Sequence, residues 1–365
     1  YDTVRLLENL PDTPPDDLGL PDAVWCFYDS LVAFDHVRHE MVLISNAFIH
    51  ADSSYEAAYY TAYEKLEQLE EDLSHVRFAA PPPIRLMKEE FTSNQTPDAY
   101  KEAVEKSKQY IYEGDIFQVV VSQRFETQFE GDAFNLYRAL RQVNPSPYLF
   151  FLDFIDFMLI GSSPEDVVSI EDGQAKVLPI AGTRPRGATA TEDRNLETEL
   201  LADPKERAEH LMLVDLGRND LSRVCEYGTV QVEEYAYVAR YSHVMHLVSL
   251  VTGKLKPGKG ALDVLAACFP AGTVSGAPKV RAMQIIDEFE PTKRGVYSGA
   301  IGYLDFSNNM DSCIALRTMV VKGNRIYIQA GAGLVADSTP QTEFEETVNK
   351  SMALRKAIWR AAGRE

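Results

Sequence analysis

The arrangement of the strands is decided by a stretch near the carboxyl end, which reads Val320-Val321-Lys322-Gly323-Asn324-Arg325. Strand-forming residues stand on both sides of a short polar turn, and this spacing is typical of an antiparallel hairpin. Further strands are predicted at residues 116–121, 148–151, 166–170, 230–234, 247–252, 314–321 and 325–329, and helices at 98–112, 204–216, 277–289 and 342–361. The chain has no regular βαβ order and no glycine-rich nucleotide loop. It therefore predicts an α+β fold of layered, mostly antiparallel β-sheets, packed as a sandwich with helices outside.

A proline-rich and polar passage between Pro81 and Pro97 divides the chain. Before this passage, Asp52 and Ser53 are suitable caps for a long helix through Tyr63. We therefore predict three parts: residues 1–80 as the remainder of an amino-terminal domain, 81–97 as a linker and 98–365 as the domain that carries the chemistry.

The composition restricts the classes of partner. The 365 residues include 55 acidic and 36 basic side chains, a net charge of −19, which disfavours broad attraction to nucleic acid or to an anionic membrane. No apolar run reaches the roughly 18 residues of a membrane helix. Four scattered cysteines form no C-x-x-C pair, which argues against a zinc site or a disulfide framework and favours a cytoplasmic enzyme: Cys26, Cys225, Cys268 and Cys313.

Two predicted helices each present a pair of carboxylates one turn apart. Glu206 and Glu209 share one helix face, and Glu343 and Glu346 share another. A single pair of this kind is usually a solvated acidic face. Two pairs that face each other could instead hold a hard cation, and few protein ligands completed by substrate oxygens are typical of Mg²⁺.

Arg317 interrupts an apolar run in the predicted strand 312–321. A buried arginine requires an anion, which a structural salt bridge or a substrate carboxylate could each supply. Three glycine-bearing turns are either tight turns or places where backbone N–H groups approach an oxyanion. They are Ala181-Gly182-Thr183, Gly331-Ala332-Gly333 and Ala271-Gly272-Thr273, the last before a helix that Ser275 is expected to cap.

His243 and His246 are three residues apart, but no further ligands at a suitable spacing indicate a zinc site. On its pattern alone, His246 is either a hydrogen-bonded core histidine or a site residue.

Several long segments together resemble the chorismate-utilising enzymes, and within them the large subunits of anthranilate synthase. The segments are residues 179–187, 209–220, 269–279, 297–303 and 329–333. The resemblance extends over essentially the whole chain and implies the fold of that family, with 98–365 as its chorismate-binding catalytic domain. The family's further amino-terminal stretch, with a Leu-Leu-Glu-Ser feedback element, is expected to precede this chain.

The resemblance also implies roles for individual residues. Glu209 and Glu346 match direct ligands of Mg²⁺, and Glu206 and Glu343 match the carboxylates behind them. The positions that match chorismate-holding residues are Gly182, Thr183, Tyr297, Arg317, Gly331, Ala332 and Gly333. Thr273 and His246 match residues that line the same pocket, and Glu165 matches the general acid. Pro147, Tyr148 and Leu149 match one wall of a regulatory tryptophan site.

The implied reaction belongs to tryptophan biosynthesis. Ammonia adds to chorismate as the ring hydroxyl leaves, with Glu165 as the acid, and an aminodeoxyisochorismate intermediate forms. His246 is expected to assist the subsequent loss of pyruvate, which leaves anthranilate. None of the four cysteines lies in a glutaminase-type nucleophile turn. The resemblance therefore implies a separate glutamine amidotransferase subunit that supplies ammonia, and L-tryptophan as feedback inhibitor of the full-length protein.

Other members of the family remain as alternatives: aminodeoxychorismate synthase, isochorismate or salicylate synthase, and a catalytically silent regulatory subunit of the same fold. Two positions argue against the first two. Gln118 stands where water-using relatives carry a lysine base, and Ala181 stands where aminodeoxychorismate synthases carry a lysine nucleophile. A neutral amide at Gln118 can orient ammonia but cannot generate hydroxide.

Overall fold

The computed structural model describes residues 1–11, 13–52, 54–77, 79, 81–241 and 244–364. Contacts divide the chain into two units. The smaller unit is Ala23–Pro81, and the larger one combines Tyr1–Asp22 with Pro82–Glu365.

The smaller unit contains a β-hairpin and one long helix. Strands β1 (Ser30–Asp35) and β2 (Glu40–Ser45) pair antiparallel, and helix α1 spans Tyr55–His75. The prediction that Asp52 caps this helix was wrong. The helix begins at Tyr55, and Ser54 caps it, because the Ser54 hydroxyl oxygen accepts the N–H of Ala57 at 3.1 Å. Ser53 lies outside the described residues.

The larger unit contains seven helices and fifteen strands in the part that the structure describes. The helices are α2 (Pro97–Glu113), α3 (Phe134–Val143), α4 (Ala190–Ala202), α5 (Pro204–Val224), α6 (Ala261–Cys268), α7 (Lys279–Phe289) and α8 (Pro340–Ala361). The strands are β3 (Arg85–Leu86), β4 (Thr92–Ser93), β5 (Gln118–Glu130), β6 (Tyr148–Asp153), β7 (Met158–Ser163), β8 (Asp166–Glu171), β9 (Gln174–Val177), β10 (Ile180–Pro185), β11 (Gln231–Arg240), β12 (Val244–Lys254), β13 (Gly276–Ala277), β14 (Ala300–Leu304), β15 (Met310–Ile314), β16 (Thr318–Lys322) and β17 (Arg325–Leu334).

These strands form two antiparallel sheets. Sheet one has the order β13-β5-β17-β16-β7-β6, with β3 and β4 also paired to β5. Sheet two has the order β10-β12-β9-β8-β15-β14, with β11 also paired to β12. The predicted hairpin joins β16 to β17, with Lys322 opposite Arg325 and Gly323 at φ +58°, which glycine adopts readily. The predicted α+β fold with mostly antiparallel sheets is confirmed.

Helices cover both sheets on an apolar core. Leu140 of α3 and Ile358 of α8 are fully buried against Ile160, Met319 and Ile326 of sheet one. A second cluster is formed between sheet two and the helices α5 and α6. Burial of each large aliphatic side chain in these clusters stabilises the folded protein by roughly 1.5–3 kcal/mol.

The predicted strand 314–321 is in fact two strands, because the chain crosses from one sheet to the other within it. Strand β15 ends at Ile314 in sheet two, and β16 begins at Thr318 in sheet one. Arg317 lies in the connection at φ +48°, outside the strand conformation predicted for it.

The predicted cap at Ser275 was also wrong. Helix α7 begins at Lys279, and Gly276 and Ala277 are extended because they pair with β5. The Ser275 hydroxyl instead donates to the carbonyl oxygen of Ala271 at 2.9 Å.

The division into units differs from the predicted one at residues 1–80 and 81–97. Val4 is fully buried beside Met283 of the larger unit, so residues 1–22 belong with that unit. The predicted linker contains β3 and β4, which pair with β5. In the described part of the chain, no helix is both long and apolar enough to cross a membrane.

Candidate active site

Two glycines of β17 allow side chains of other segments to lie directly on the strand. A Cβ atom at Gly331 would lie 2.8 Å from the Tyr297 hydroxyl oxygen and 3.0 Å from the carbonyl oxygen of Val121. A Cβ atom at Gly333 would lie 2.7 Å from Nε2 of Gln118. A side chain at Gly331 would press on the backbone of β5, so this position favours glycine, whereas at Gly333 it would meet only the movable end of Gln118.

Tyr297 is buried in this part of the molecule, with 7% of its surface exposed. Burial raises the pKa of its hydroxyl to about 12, so the group is a neutral hydrogen-bond donor at physiological pH. The positive charge of Arg317 acts to lower the same pKa, which places the guanidinium within electrostatic range of Tyr297.

Arg317 is partly exposed at the connection between the two sheets. No ion pair joins it to another residue that the structure describes. The salt-bridge alternative is therefore not observed there, and the cation remains available to an anion.

The four glutamates lie on α5 and α8, as predicted. Glu209 Oε1 accepts a hydrogen bond from Gln118 Nε2 at 3.3 Å, and Glu206 Oε1 accepts one from Arg184 Nη1 at 3.1 Å. On α8, Glu346 pairs with Lys350 at 2.7 Å. The Lys350 ammonium also donates to the carbonyl oxygen of Gly331 at 3.2 Å, so it joins the helix to the glycines of β17.

Burial raises the pKa of Glu209, and the negative charge of Glu206 raises it further. Burial likewise raises the pKa of Glu343, with Glu346 acting in the same direction. Lys350 acts to lower both pKa values, so the two carboxylate pairs lie within electrostatic range of one ammonium group. Buried carboxylates that repel each other in this way are stabilised by a further cation.

The carboxylates fit a divalent cation only as a partial ligand set. Among the residues that the structure describes, no three His, Cys, Asp or Glu side chains are grouped as metal ligands. Glu209 has a neutral amide as its neighbour and no ion pair with a described residue. A hard cation that takes most of its oxygens from water and substrate fits this arrangement.

His246 and the turn at Gly182 are adjacent on paired strands. The ladder between β10 and β12 has a bulge between Ala181 and Thr183, where Gly182 has φ +67°. His246 Nδ1 lies 2.9 Å from the carbonyl oxygen of Gly182 and 3.1 Å from Thr183 Oγ1. Because a carbonyl oxygen only accepts, Nδ1 carries a proton, and Nε2 is the nitrogen that can exchange one.

Glu165 lies in the turn between β7 and β8 and is partly exposed. Its carbonyl oxygen accepts the N–H of Ile314 at 3.0 Å, which fixes the turn against β15. Burial raises the pKa of Tyr241, and the charges of Asp166 and Glu165 add to this effect. The ring of Tyr241 packs on His246 with centroids 5.6 Å apart, so Glu165 and His246 have Tyr241 as a common neighbour.

Thr273 lies in a 3₁₀ turn, Gly272–Val274, between α6 and β13. Its Oγ1 is buried and has no hydrogen-bond partner among the described residues. A buried hydroxyl without a partner costs roughly 1–3 kcal/mol, which a polar ligand would recover.

The predicted tryptophan wall lies at the start of β6. The Tyr148 hydroxyl donates to Asp311 Oδ1 at 3.1 Å, and Leu149 lies opposite Ser162 of β7. Pro147 precedes the strand. Binding of tryptophan at Pro147, Tyr148 and Leu149 stays a prediction, and His243 lies outside the described residues.

The sequence analysis missed three residues of this region. Lys350 could have been found from its i, i+4 spacing to Glu346 on one helix. Glu290 and Arg294 form a buried pair next to Tyr297, and their i, i+4 spacing is the corresponding signal.

The α+β fold, the paired carboxylates, the glycines of β17 and an Arg317 with no ion partner among the described residues fit an enzyme that takes a small carboxylate-bearing substrate. The sequence profile described as chorismate binding enzyme matches residues 1–356, so the chain belongs to this family. The family predicted from the sequence is thereby confirmed.

Relatives within the family are similar over nearly all of this chain. Anthranilate synthase component 1 of Cereibacter sphaeroides is 52% identical over 362 residues, covering 98% of this chain and 72% of the relative. The same component of Acetivibrio thermocellus is 49% identical over 364 residues, covering 98% and 73%. The crystal structure of anthranilate synthase component I from Streptococcus pneumoniae is 44% identical, with a TM-score of 0.88 and coverage of 97% and 78%.

Proposed function

We propose that the chain is the catalytic component of an anthranilate synthase, which converts chorismate and ammonia to anthranilate and pyruvate. The observation that carries this proposal is the identity of about half of all positions, over 98% of the chain, to proteins with that name. A substrate that bears two carboxylates fits this proposal, since Arg317 would neutralise one of them and a cation held by the glutamates would neutralise the other.

Chorismate contacts both β17 and Tyr297 in this proposal. The neutral Tyr297 hydroxyl donates to one carboxylate, and backbone N–H groups of Gly331 and Gly333 contribute without adding charge. The guanidinium of Arg317, which has two parallel N–H donors, pairs with that carboxylate or with the other carboxylate of chorismate. Thr273 Oγ1 and the Gly182-Thr183 turn supply further polar contacts.

Ammonia is the nucleophile. Gln118 lies against Gly333 and donates to Glu209, so its amide oxygen is free to accept an N–H of ammonia. The ring hydroxyl leaves after protonation by Glu165, which gives aminodeoxyisochorismate. His246 then takes the ring proton at Nε2 as pyruvate departs, since its Nδ1 proton is held by the carbonyl oxygen of Gly182.

We further propose that Glu209 and Glu346 hold Mg²⁺, with Glu206 and Glu343 behind them. When bound, the ion would neutralise a substrate carboxylate and the charge that develops on it. The raised pKa values of Glu209 and Glu343, and the absence of an ion pair at Glu209 with any described residue, support this assignment.

A glutamine amidotransferase subunit is the proposed partner, because the resemblance extends to components that receive ammonia from one. We propose L-tryptophan as feedback inhibitor, with Pro147, Tyr148 and Leu149 as part of its site. The proposed compartment is the cytoplasm, supported by four cysteines that are all free thiols.

The alternatives within the family are separated by Gln118 and Ala181. Ala181 lies in β10 with 8% of its surface exposed, and its methyl group offers no nucleophile for a covalent adduct. A silent regulatory subunit would have no use for the unpaired Arg317 or for buried glutamates with raised pKa.

The direct test is to incubate the chain with chorismate, Mg²⁺ and an ammonium salt and to follow anthranilate fluorescence. Anthranilate should form, and the rate should increase with pH as the fraction of unprotonated ammonia grows. Isochorismate or salicylate as the main product, or a chorismate-derived adduct detected on the protein by mass spectrometry, would contradict the proposal.

A further inference from the structure

Glu290 and Arg294 form an ion pair in the segment between α7 and β14. Their side chains are 2% and 1% exposed, and Arg294 Nη2 lies 2.6 Å from Glu290 Oε1. A fully buried pair usually adds little stability compared with apolar side chains of similar volume. The other contacts of the Glu290–Arg294 pair therefore indicate a role besides stability.

All five N–H donors of the Arg294 guanidinium have acceptors within the protein. Nε donates to Glu290 Oε2 at 2.9 Å, and Nη2 donates to Glu290 Oε1 and to the carbonyl oxygen of Val120, both at 2.6 Å. Nη1 donates to the carbonyl oxygen of Val274 at 2.7 Å and to Ser298 Oγ at 3.2 Å. A guanidinium has five N–H donors, so Arg294 has none left for a substrate.

The Glu290 carboxylate has further donors on β5. Its Oε1 accepts the backbone N–H of Ser122 at 2.8 Å and the Ser122 hydroxyl at 2.8 Å. In the ladder between β5 and β17, Ser122 lies opposite Gly331, and Val120 lies opposite Gly333. The ion pair thus fixes β5 directly behind the two glycines of the candidate site.

The same pair reaches two other segments of that site. Val274 follows Thr273, whose hydroxyl is buried without a partner, and Ser298 follows Tyr297. The Arg294 guanidinium also lies 5.4 Å from the centroid of the Tyr297 ring. Three segments that are distant in sequence therefore share one charged, fully hydrogen-bonded anchor.

We propose that the Glu290–Arg294 pair is the positioning element of the chorismate pocket. It holds Thr273, Tyr297 and the glycines of β17 in register without touching the substrate. This inference rests on the proposed function, since it assigns a positioning role within that reaction. Catalytic geometry is sensitive to displacements of about 1 Å, so a loosened anchor should reduce turnover more than it reduces stability.

Arg294→Lys is the first test, because lysine keeps the charge but has three donors in place of five. We expect kcat/KM for chorismate to fall by about a hundredfold while the KM for ammonium changes little. Asp287→Asn is the matched control. Asp287 is a buried carboxylate on α7 that pairs with Arg5 at 2.8 Å rather than with Arg294. Asp287→Asn should lower Tm by about as much as Arg294→Lys does and should leave kcat/KM for chorismate nearly unchanged.

A double-mutant cycle with Tyr297→Phe separates positioning from a general effect on folding. If Arg294 acts through Tyr297, Arg294→Lys should cost clearly less in the Tyr297→Phe background than in the wild type. Calorimetric binding of chorismate without ammonium should weaken in parallel. Additive effects, or near-native kcat/KM in Arg294→Lys, would overturn the inference.

Should Arg294→Lys fail to fold, Ser298→Ala removes one contact of the guanidinium together with the hydrogen bond between Ser298 and Tyr297. This variant should lower kcat/KM for chorismate by at least about threefold to tenfold, the loss expected for one hydrogen bond. An unchanged kcat/KM in this variant would then overturn the inference. A wild-type chain that does not convert chorismate with ammonium would instead contradict the proposed function, so the two failures are distinguishable.

Discussion

On one side of the candidate pocket, Tyr297 and the glycines of β17 are fixed by a network in which every donor of Arg294 is used. The two glutamate pairs extend from two helices: Glu206 repels Glu209 on α5, and Glu346 repels Glu343 on α8. The first side is complete before a ligand binds. The second is held by single contacts such as Gln118 to Glu209 and Lys350 to Glu346. The contrast supports the proposal that a preformed substrate site is combined with carboxylates that a cation completes.

The largest expected effect concerns the carboxylate side. Glu209→Gln or Glu346→Gln should reduce turnover by roughly a hundredfold to a thousandfold or more, because each removes a charge at the place where the cation is proposed to bind. Fluorescence of anthranilate measures the activity, and circular dichroism checks that the variants are folded. Full activity in either variant, or undiminished wild-type activity in excess chelator, would contradict the assignment.

The rigid side can be tested with two glycines that differ in what surrounds them. Gly331→Ala places a methyl group 3.0 Å from the backbone oxygen of Val121, which cannot move away, so we expect kcat/KM to fall by about a hundredfold. Gly333→Ala meets the end of the Gln118 side chain at 2.7 Å, which can rotate, so its effect should be smaller. Steady-state kinetics with chorismate measures both. Equal effects would show that the two glycines are not distinguished by their surroundings.

Arg317→Lys tests the proposal that the Arg317 guanidinium binds a substrate carboxylate. The substitution keeps the charge and loses the two-pronged geometry, which should cost roughly 1.5–3 kcal/mol, or about tenfold to over a hundredfold in kcat/KM. Kinetics of the folded variant measures this loss. A lysine variant of near-native efficiency would show that Arg317 has a structural role only.

A smaller effect should appear in the pH dependence of stability. The pKa of Glu209 and that of Glu343 are raised above the ordinary value of 4.5, in both cases mainly by burial. A carboxyl group with a raised pKa stabilises the folded protein below its unfolded pKa, and this contribution is lost as pH rises through the folded pKa. Tm of the metal-free protein should therefore fall as pH rises above about 4.5, and Glu209→Gln should reduce that fall.

Mg²⁺ should change this profile because it binds the ionised carboxylates. The increase in Tm on adding Mg²⁺ should become larger as pH rises. A pH-independent increase would mean that the ion binds elsewhere.

Local patterns in the sequence predicted much of the fold and the helices on which the candidate glutamates lie. The i, i+3 spacing placed the glutamates on helix faces correctly, because a helix periodicity depends on neighbouring residues alone. Arg317 was assigned to a strand, and the crossing between two sheets that gives it φ +48° depends on tertiary pairing. The prediction of a helix cap at Ser275 was wrong for the same reason, because residues 276–277 pair with β5 and do not begin a helix. The network of Arg294 also joins segments that only the folded chain brings together.

Titration of Mg²⁺ by calorimetry, with and without chorismate, tests the contrast between the two sides most directly. If the carboxylate side is completed by the substrate, Mg²⁺ should bind weakly alone and about tenfold or more tightly with chorismate present, a coupling within the usual range of roughly 1–3 kcal/mol. Chorismate affinity should increase by the same factor when Mg²⁺ is present, because the coupling is reciprocal. Equal Mg²⁺ affinity with and without chorismate would contradict the account.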